Sequence, residues 1–263
     1  MRSRSILGAL SLHAVVGLVV LFFLLPLIGL IVRAPWSAIP ETLGSPAVRD
    51  ALWLSVISSL ASALLSFVFG LPLAVWLSSG VSRTRTLVRV LVLLPMVLPP
   101  VVGGIALLVA YGRNGVMGPF IDNVFGVTLP FTLAAVVIAQ TYVAMPFFVL
   151  TAEAGLRSFD QRFARAAATL GAGPWRTFRT VTLPLIAPSL YAGIVVAWAR
   201  ALGEFGATIT FAGNLAGETR TMPLELFVAL ESDPDSAILL SLGLVATSGI
   251  VLFSLRERWF PKR

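Results

Sequence analysis

From Ile6 to Val32 the chain runs for 27 residues without a formal charge, and five further apolar blocks follow at intervals. About 20 such residues cross the core of a bilayer as a helix. Blocks of this length restrict the chain to folds in which lipid is the solvent. The other five run from Ala51 to Ser79, Val90 to Tyr111, Pro130 to Thr151, Leu185 to about Phe211, and Ser236 to Leu255. With 57% apolar and only 12% charged residues, too little polar surface remains to cover a water-soluble globule. Arg2 and Arg4 precede the first block as in a signal peptide, but the block is too long and no small-residue cleavage pattern closes it. It reads as a span or an uncleaved anchor. The expected fold is all-α, with six transmembrane helices in a single transmembrane domain over residues 1–263.

The basic residues orient those spans. The N-terminus carries Arg2 and Arg4, and the second connection carries Arg83, Arg85 and Arg89. Arg157, Arg162, Arg165, Arg176 and Arg179 lie in the fourth connection, and Arg256, Arg258, Lys262 and Arg263 end the chain. Only Arg33, Arg49, Arg113 and Arg220 fall in the odd-numbered connections. Cytoplasmic loops retain Lys and Arg, so both termini and the fourth connection are assigned to the cytoplasm. This asymmetry accounts for the net charge of +7 without a nucleic-acid partner. The segments 33–50, 112–129 and 212–235 read as outer loops, the last of them acidic and solvated.

Two of the spans are irregular. Pro95, Pro99, Pro100, Gly103 and Gly104 all fall in the third, which calls for a kinked or unwound segment whose freed carbonyls face protein or a cavity. The fifth holds Arg200 and Glu204, the only full charges that the hydropathy pattern places inside a span. Being four apart, they share one helix face. They line an anion path or form a neutralised pair that fixes packing. Thr141, Tyr142, Thr208 and Thr210 offer hydroxyl donors for such a path, or for ordinary helix–helix hydrogen bonds.

The cytoplasmic loop, about residues 153–184, is polar and rich in arginine. Phe163, Ala166, Ala167 and Leu170 form one stripe of a short helix, with Arg162, Arg165 and Thr169 on the other side. Gly171 supplies a stop and Pro174 a second helix start. An amphipathic helix here either lies on the lipid surface or docks onto a soluble partner.

The order of residues in that loop resembles the EAA loop of ABC-importer permeases. Arg165-Ala166-Ala167 is followed by three residues, Gly171, nine residues, and Val181-Thr182-Leu183-Pro184. Arg165 stands where that motif has Glu, and Val181 where it has Ile. ALGEFGATITF at 201–211 and GETRTMP at 217–223 resemble the permeases of molybdate importers. LPMVLPPVVGG at 94–104 and YGRNGVMG at 111–118 resemble them too, while sulfate permeases share a related Gly-Glu-Phe/Tyr-Gly segment.

The resemblance implies a type I ABC-importer permease fold and a homodimer with its pathway on the two-fold axis, in a bacterial or archaeal inner membrane. Its loop, including Arg162, Arg165, Ala166, Ala167, Leu170, Gly171, Val181, Leu183 and Pro184, would couple to two ATPase subunits. A binding protein would deliver molybdate or tungstate from outside, with sulfate or thiosulfate as the alternative cargo. No GxxxxGK[ST] sequence occurs, so ATP and Mg would be bound by the ATPase chains and this chain would carry no cofactor. One histidine (His13), no cysteine and no HExxH sequence argue against a metal-dependent membrane enzyme.

Overall fold

The computed structural model describes residues 2–254, with side chains from 12 to 253. The C-terminal Arg256, Arg258, Lys262 and Arg263 lie outside the described residues, as do the side chains of Arg2 and Arg4. Helix α1 spans Arg2–Arg33, α2 Ile39–Gly44, α3 Pro46–Ser78, α4 Arg83–Val97, α5 Pro100–Tyr111 and α6 Gly118–Phe125. The chain continues with α7 at Leu133–Ser158, α8 at Gln161–Thr169, α9 at Pro174–Thr177, α10 at Leu183–Leu202, α11 at Gly206–Phe211, α12 at Met222–Ser232 and α13 at Pro234–Ser254. Five segments are long and apolar enough to cross a bilayer, and the bent pair α4–α5 makes a sixth.

The core is built from α3, α7 and α10, and small residues permit it. The fully buried ring of Phe148 lies between Gly70 of α3 and Gly193 of α10. A Cβ on Gly70 would sit 2.7 Å from that ring, and one on Gly193 3.1 Å from it. Gly155 abuts Ser189 in the same way. Along α3 a buried row of Ser55, Ser58, Ser59, Ser62 and Ser66 lets neighbours approach closely and supplies acceptors. Trp198 Nε1 donates to Ser59 Oγ at 3.0 Å, and the Met222 backbone N–H donates to Ser55 Oγ at 2.7 Å. Helix α1, by contrast, exposes nearly every described side chain and makes its main contact among the spanning helices with α13.

The third span is two helices, α4 and α5, bent by 120°. Leu98 is extended at the break, as a residue before Pro99 is expected to be. The fifth also stops early. Helix α10 ends at Leu202, and the chain re-forms a short helix only at Gly206. Glu204 therefore lies beyond the helix that carries Arg200, which corrects the shared-helix-face reading. Helices α9 and α10 join through a π turn, Phe178–Thr182. That turn precedes Pro184, whose ring cannot donate to the carbonyl four residues back.

The three outer loops contain more structure than their composition suggests. Ser45 caps α3, accepting from Val48 N, and Pro46 opens it, so the second span starts five residues before Ala51. Residues 36–44 form a 3-10 turn and α2, Gly118–Phe125 is helical, and Met222–Ser232 is helical within the segment read as a solvated loop. Helix α7 begins at Leu133, capped by Thr132, and runs to Ser158, seven residues past Thr151. Residues 153–158 and 174–184 of the expected cytoplasmic loop are consequently helix ends.

The two breaks meet. Gly104 of α5 and Gly206 of α11 are contact points: a Cβ on Gly104 would lie 1.7 Å from Thr210 Oγ1 and 2.7 Å from the Ala207 carbonyl oxygen. Gly104→Ala should destabilise the protein by roughly 1–3 kcal/mol through overpacking. Gly17→Ala, at a site with nothing within 4 Å, should be neutral. Thermal unfolding of the two variants in detergent measures the difference.

Candidate functional site

In the arginine-rich loop Asp160 caps α8, accepting from Arg162 N at 2.9 Å, and pairs with the Arg162 guanidinium at 2.9 Å. Helix α8 closes at Leu170, and Gly171 takes the left-handed conformation (φ +83°) that an L side chain resists. The apolar stripe is not folded back onto the chain. Phe163 is 56% exposed and Leu170 88% exposed, with Ala166 open and Ala167 half-buried. Arg165 is exposed. Beyond the stop, Trp175 is 73% exposed and stacks on Phe178 at 5.9 Å. Val181 and Leu183 are half-buried, Leu183 packing against the Phe148 cluster, and Pro184 is exposed. This is an uncovered apolar face held by a capped helix and rimmed by arginines.

At the second break Glu204 is fully buried. One carboxylate oxygen pairs with Arg200 and the other accepts from Ala207 N at 2.8 Å, capping the first turn of α11. The pair thus bridges the end of α10 to the start of the next helix. Thr210 donates to the Gly206 carbonyl of its own helix, and Thr141 to that of Val137. Thr208 is fully buried and its hydroxyl has no partner among the described residues. Tyr142 packs over Gly103.

Thr141 and Tyr142 reach a cavity of about 460 Å³, lined also by Leu91, Val92, Pro95 and Leu107. That lining is predominantly apolar and does not include Thr208 or Thr210 of α11.

Several buried polar residues escaped the sequence reading. Gln140 is fully buried with both ends of its amide unpartnered among the described residues. The Phe148 contacts fix the register of α3, α7 and α10. Counting eight residues from Gly70, Phe148 and Gly193 reaches Ser62, Gln140 and Ala201. Gln140 is therefore level with the Ser62 hydroxyl and the break after Leu202. Glu153 is also buried. It accepts from Arg89 and from Arg157, which donates from Nε at 3.0 Å and Nη2 at 2.8 Å. The four-residue spacing of Glu153 and Arg157 was the available signal.

In the segment expected to lie outside, residues 219–223 are packed while Gly217 and Glu218 are exposed. Thr219 accepts from Leu215 N, and Arg220 donates to Asn214 and to the buried Glu225. Glu41, Glu225, Asp233 and Asp235 line a polar pocket of about 420 Å³. The Ser236 hydroxyl and backbone N–H hold the Asp233 carboxyl below the usual carboxylate range. A carboxyl with a lowered folded-state pKa contributes its cap at neutral pH and loses it as pH falls through that value.

The Arg200–Glu204 pair gives a direct test of packing against path. Glu204→Ala leaves the guanidinium and the Ala207 N–H without a partner and should cost about 1–3 kcal/mol. Arg200→Met combined with Glu204→Leu should recover the part that comes from the unpaired guanidinium, while the Ala207 N–H stays without its acceptor in both variants. Uptake by the stable double variant then reports whether the pair contributes to transport beyond packing.

The model of the binding-protein-dependent transport system inner membrane component family matches residues 66–263. The molybdenum transport system permease protein ModB of Mycobacterium tuberculosis is 43% identical over 247 residues, 94% of this chain and 92% of that protein. ModB of Escherichia coli K12 is 36% identical over 219 residues, 82% of this chain and 96% of that one. The sulfate transport system permease protein CysT of the same strain is 34% identical over 250 residues, 94% and 90%. Among solved structures, a bacterial ABC transporter involved in import of the acidic polysaccharide alginate contains a chain with TM-score 0.73 and 19% identity, covering 95% of this chain and 96% of its own.

Proposed function

This chain belongs to the family of binding-protein-dependent transport system inner membrane components, and from that premise we propose that it is the membrane-spanning subunit of an ATP-driven importer of molybdate or tungstate. The importer reading is carried by the uncovered Phe163 and Leu170 of the capped helix α8, with the exposed Trp175 of α9, beside the arginines. A soluble ATPase subunit supplies the apolar groove that such a face requires. The cargo reading is carried by the 43% identity to a molybdenum permease over nearly the whole of both chains. Sulfate or thiosulfate is the second reading, favoured by the 34% identity to a sulfate permease.

Two copies enclose the pathway at their two-fold axis, and each docks one ATPase subunit through α8. Both termini and α8 face the cytoplasm, and a binding protein releases the oxyanion on the outer face, where Glu218, Glu231, Asp233 and Asp235 are exposed. ATP-driven closure of the two ATPase subunits draws the α8 helices together and turns the pathway outward. Hydrolysis returns it. The permease breaks no bond itself.

Vesicles containing this chain, its ATPase and its binding protein test both parts. Labelled molybdate should enter only with ATP, tungstate should compete, and excess sulfate should not. Full competition by sulfate would replace the cargo reading. Leu170→Asp should strip the ATPase from the purified complex, by placing a carboxylate where a partner expects an apolar side chain.

A further inference from the structure

We propose that Glu153, held between Arg89 and Arg157, is the positioning residue that carries movement of the cytoplasmic loop into the broken third span. The proposal rests on the reading that α8 docks an ATPase subunit.

The geometry begins with burial. The Glu153 side chain is 6% exposed, near the inner end of α7. Arg89 of α4 presents a fork to it: Nε donates to Oε2 at 3.2 Å, and Nη2 donates to Oε1. The same Nη2 donates to the Leu77 carbonyl at 3.2 Å, in the last turn of α3, where helix carbonyls lack a partner of their own. Arg157, one turn on from Glu153, closes the cluster. One carboxylate therefore ties α7 to α4, and one guanidinium ties both to the end of α3. A bidentate arginine–carboxylate contact fixes orientation as well as distance.

Its position gives this cluster a role that a static staple does not need. Three residues after Arg157, Asp160 caps α8, so displacement of the docking helix acts directly on the end of α7. On the other side of the cluster, α4 is separated from α5 by the 120° break and exposes Leu87, Val90, Leu91, Leu94 and Val97. Its main attachments among the described residues are to α7 and, more weakly, α3. Helix α4 is a lever hinged at Leu98–Pro99, and Arg89 is where it is gripped. Its Leu91, Val92 and Pro95 form a wall of the apolar cavity, so rotation of the lever reshapes that cavity. Apolar contacts of Val88 and Val92 with the Phe148 cluster permit sliding; the ionic fork does not.

The test uses the assembled transporter in proteoliposomes, reading anion delivered per ATP hydrolysed together with retention of the ATPase. Glu153→Gln should retain the ATPase while anion delivered per ATP falls about 10-fold, the scale of a typical coupling free energy. Glu153→Asp should recover part of the ratio. An unchanged ratio in Glu153→Gln, with uptake and hydrolysis falling together or not at all, overturns the proposal.

The chain has no cysteine, so Arg89→Cys with Glu153→Cys can be bridged by a short bifunctional thiol reagent. This pair decides the matter if Glu153→Gln does not fold. Bridging should restore the ratio that the unbridged pair has lost, and failure to restore it refutes a mechanical link. Leu170→Asp separates the two readings. If it keeps its ATPase, the docking reading fails, whatever Glu153 does.

Discussion

Backbone groups freed within an apolar layer have to be satisfied by protein, and two of the helices here stop where that layer would be. At the first stop Leu98 N still donates to Leu94 O, and Pro99 O immediately receives Val102 N and Gly103 N. The break consumes few groups because Pro99 and Pro100 bring no N–H. At the second, Gly203 N and Glu204 N donate back to Ala199 O and Ala201 O, and the Glu204 carboxylate takes Ala207 N. Each break is closed by its own local chemistry. Gly104 and Gly206 then allow the restarted helices to press together, Gly104 against Thr210 and the Ala207 backbone and Gly206 against Pro100. Packing two breaks on each other concentrates irregular backbone at one place.

Charge follows the same economy. The three buried carboxylates among the described residues are Glu153, Glu204 and Glu225, and each has an arginine. A lone buried carboxylate is costly, and it would also repel an anion passing nearby. Pairing answers both problems. It neutralises Arg200 and Arg220 one to one, while the Glu153 cluster, with Arg89 and Arg157 on one carboxylate, keeps a net positive charge.

Periodicity and turn chemistry made the spans, the α8 stripe, the Gly171 stop and the Pro174 start legible, since each depends on local sequence. The break after Leu202 was not legible: Gly203 is tolerated inside apolar helices, and only the Glu204 cap makes stopping there favourable. The outer helices α6 and α12 were masked by Gly and acidic residues that read as loop, although Thr219, Arg220 and Ser55 hold one of them through contacts distant in sequence. Glu153 was missed because hydropathy ended the fourth span at Thr151. Helix continuation to Ser158 is a tertiary effect, supported by Ala152 and Leu156 packing into the Phe148 cluster. Thr141, Tyr142, Thr208 and Thr210 were grouped by residue type; Thr141 and Thr210 donate to carbonyls of their own helices, and Thr208 has no partner among the described residues.

A second mechanical connection runs through the fifth span. From Pro174 to Leu202 the chain is one helical rod of 29 residues, about 43 Å at 1.5 Å per residue. Its foot is the exposed Trp175 stacked on Phe178, and its head is Arg200 bound to Glu204 at the break. The π turn lies near the foot, between Trp175 and the half-buried Leu183. A force applied at Trp175 has to pass that soft point before it enters the packed part of the rod. The α7 route has its own interruption at the extended Phe159 and is continuous helix from Ser158 back to Glu153. On the proposed docking of α8, one path leads to α4 and the first break, and the other to α11 and the second. Because α5 and α11 are in contact at Gly104, movement along either path loads the same junction.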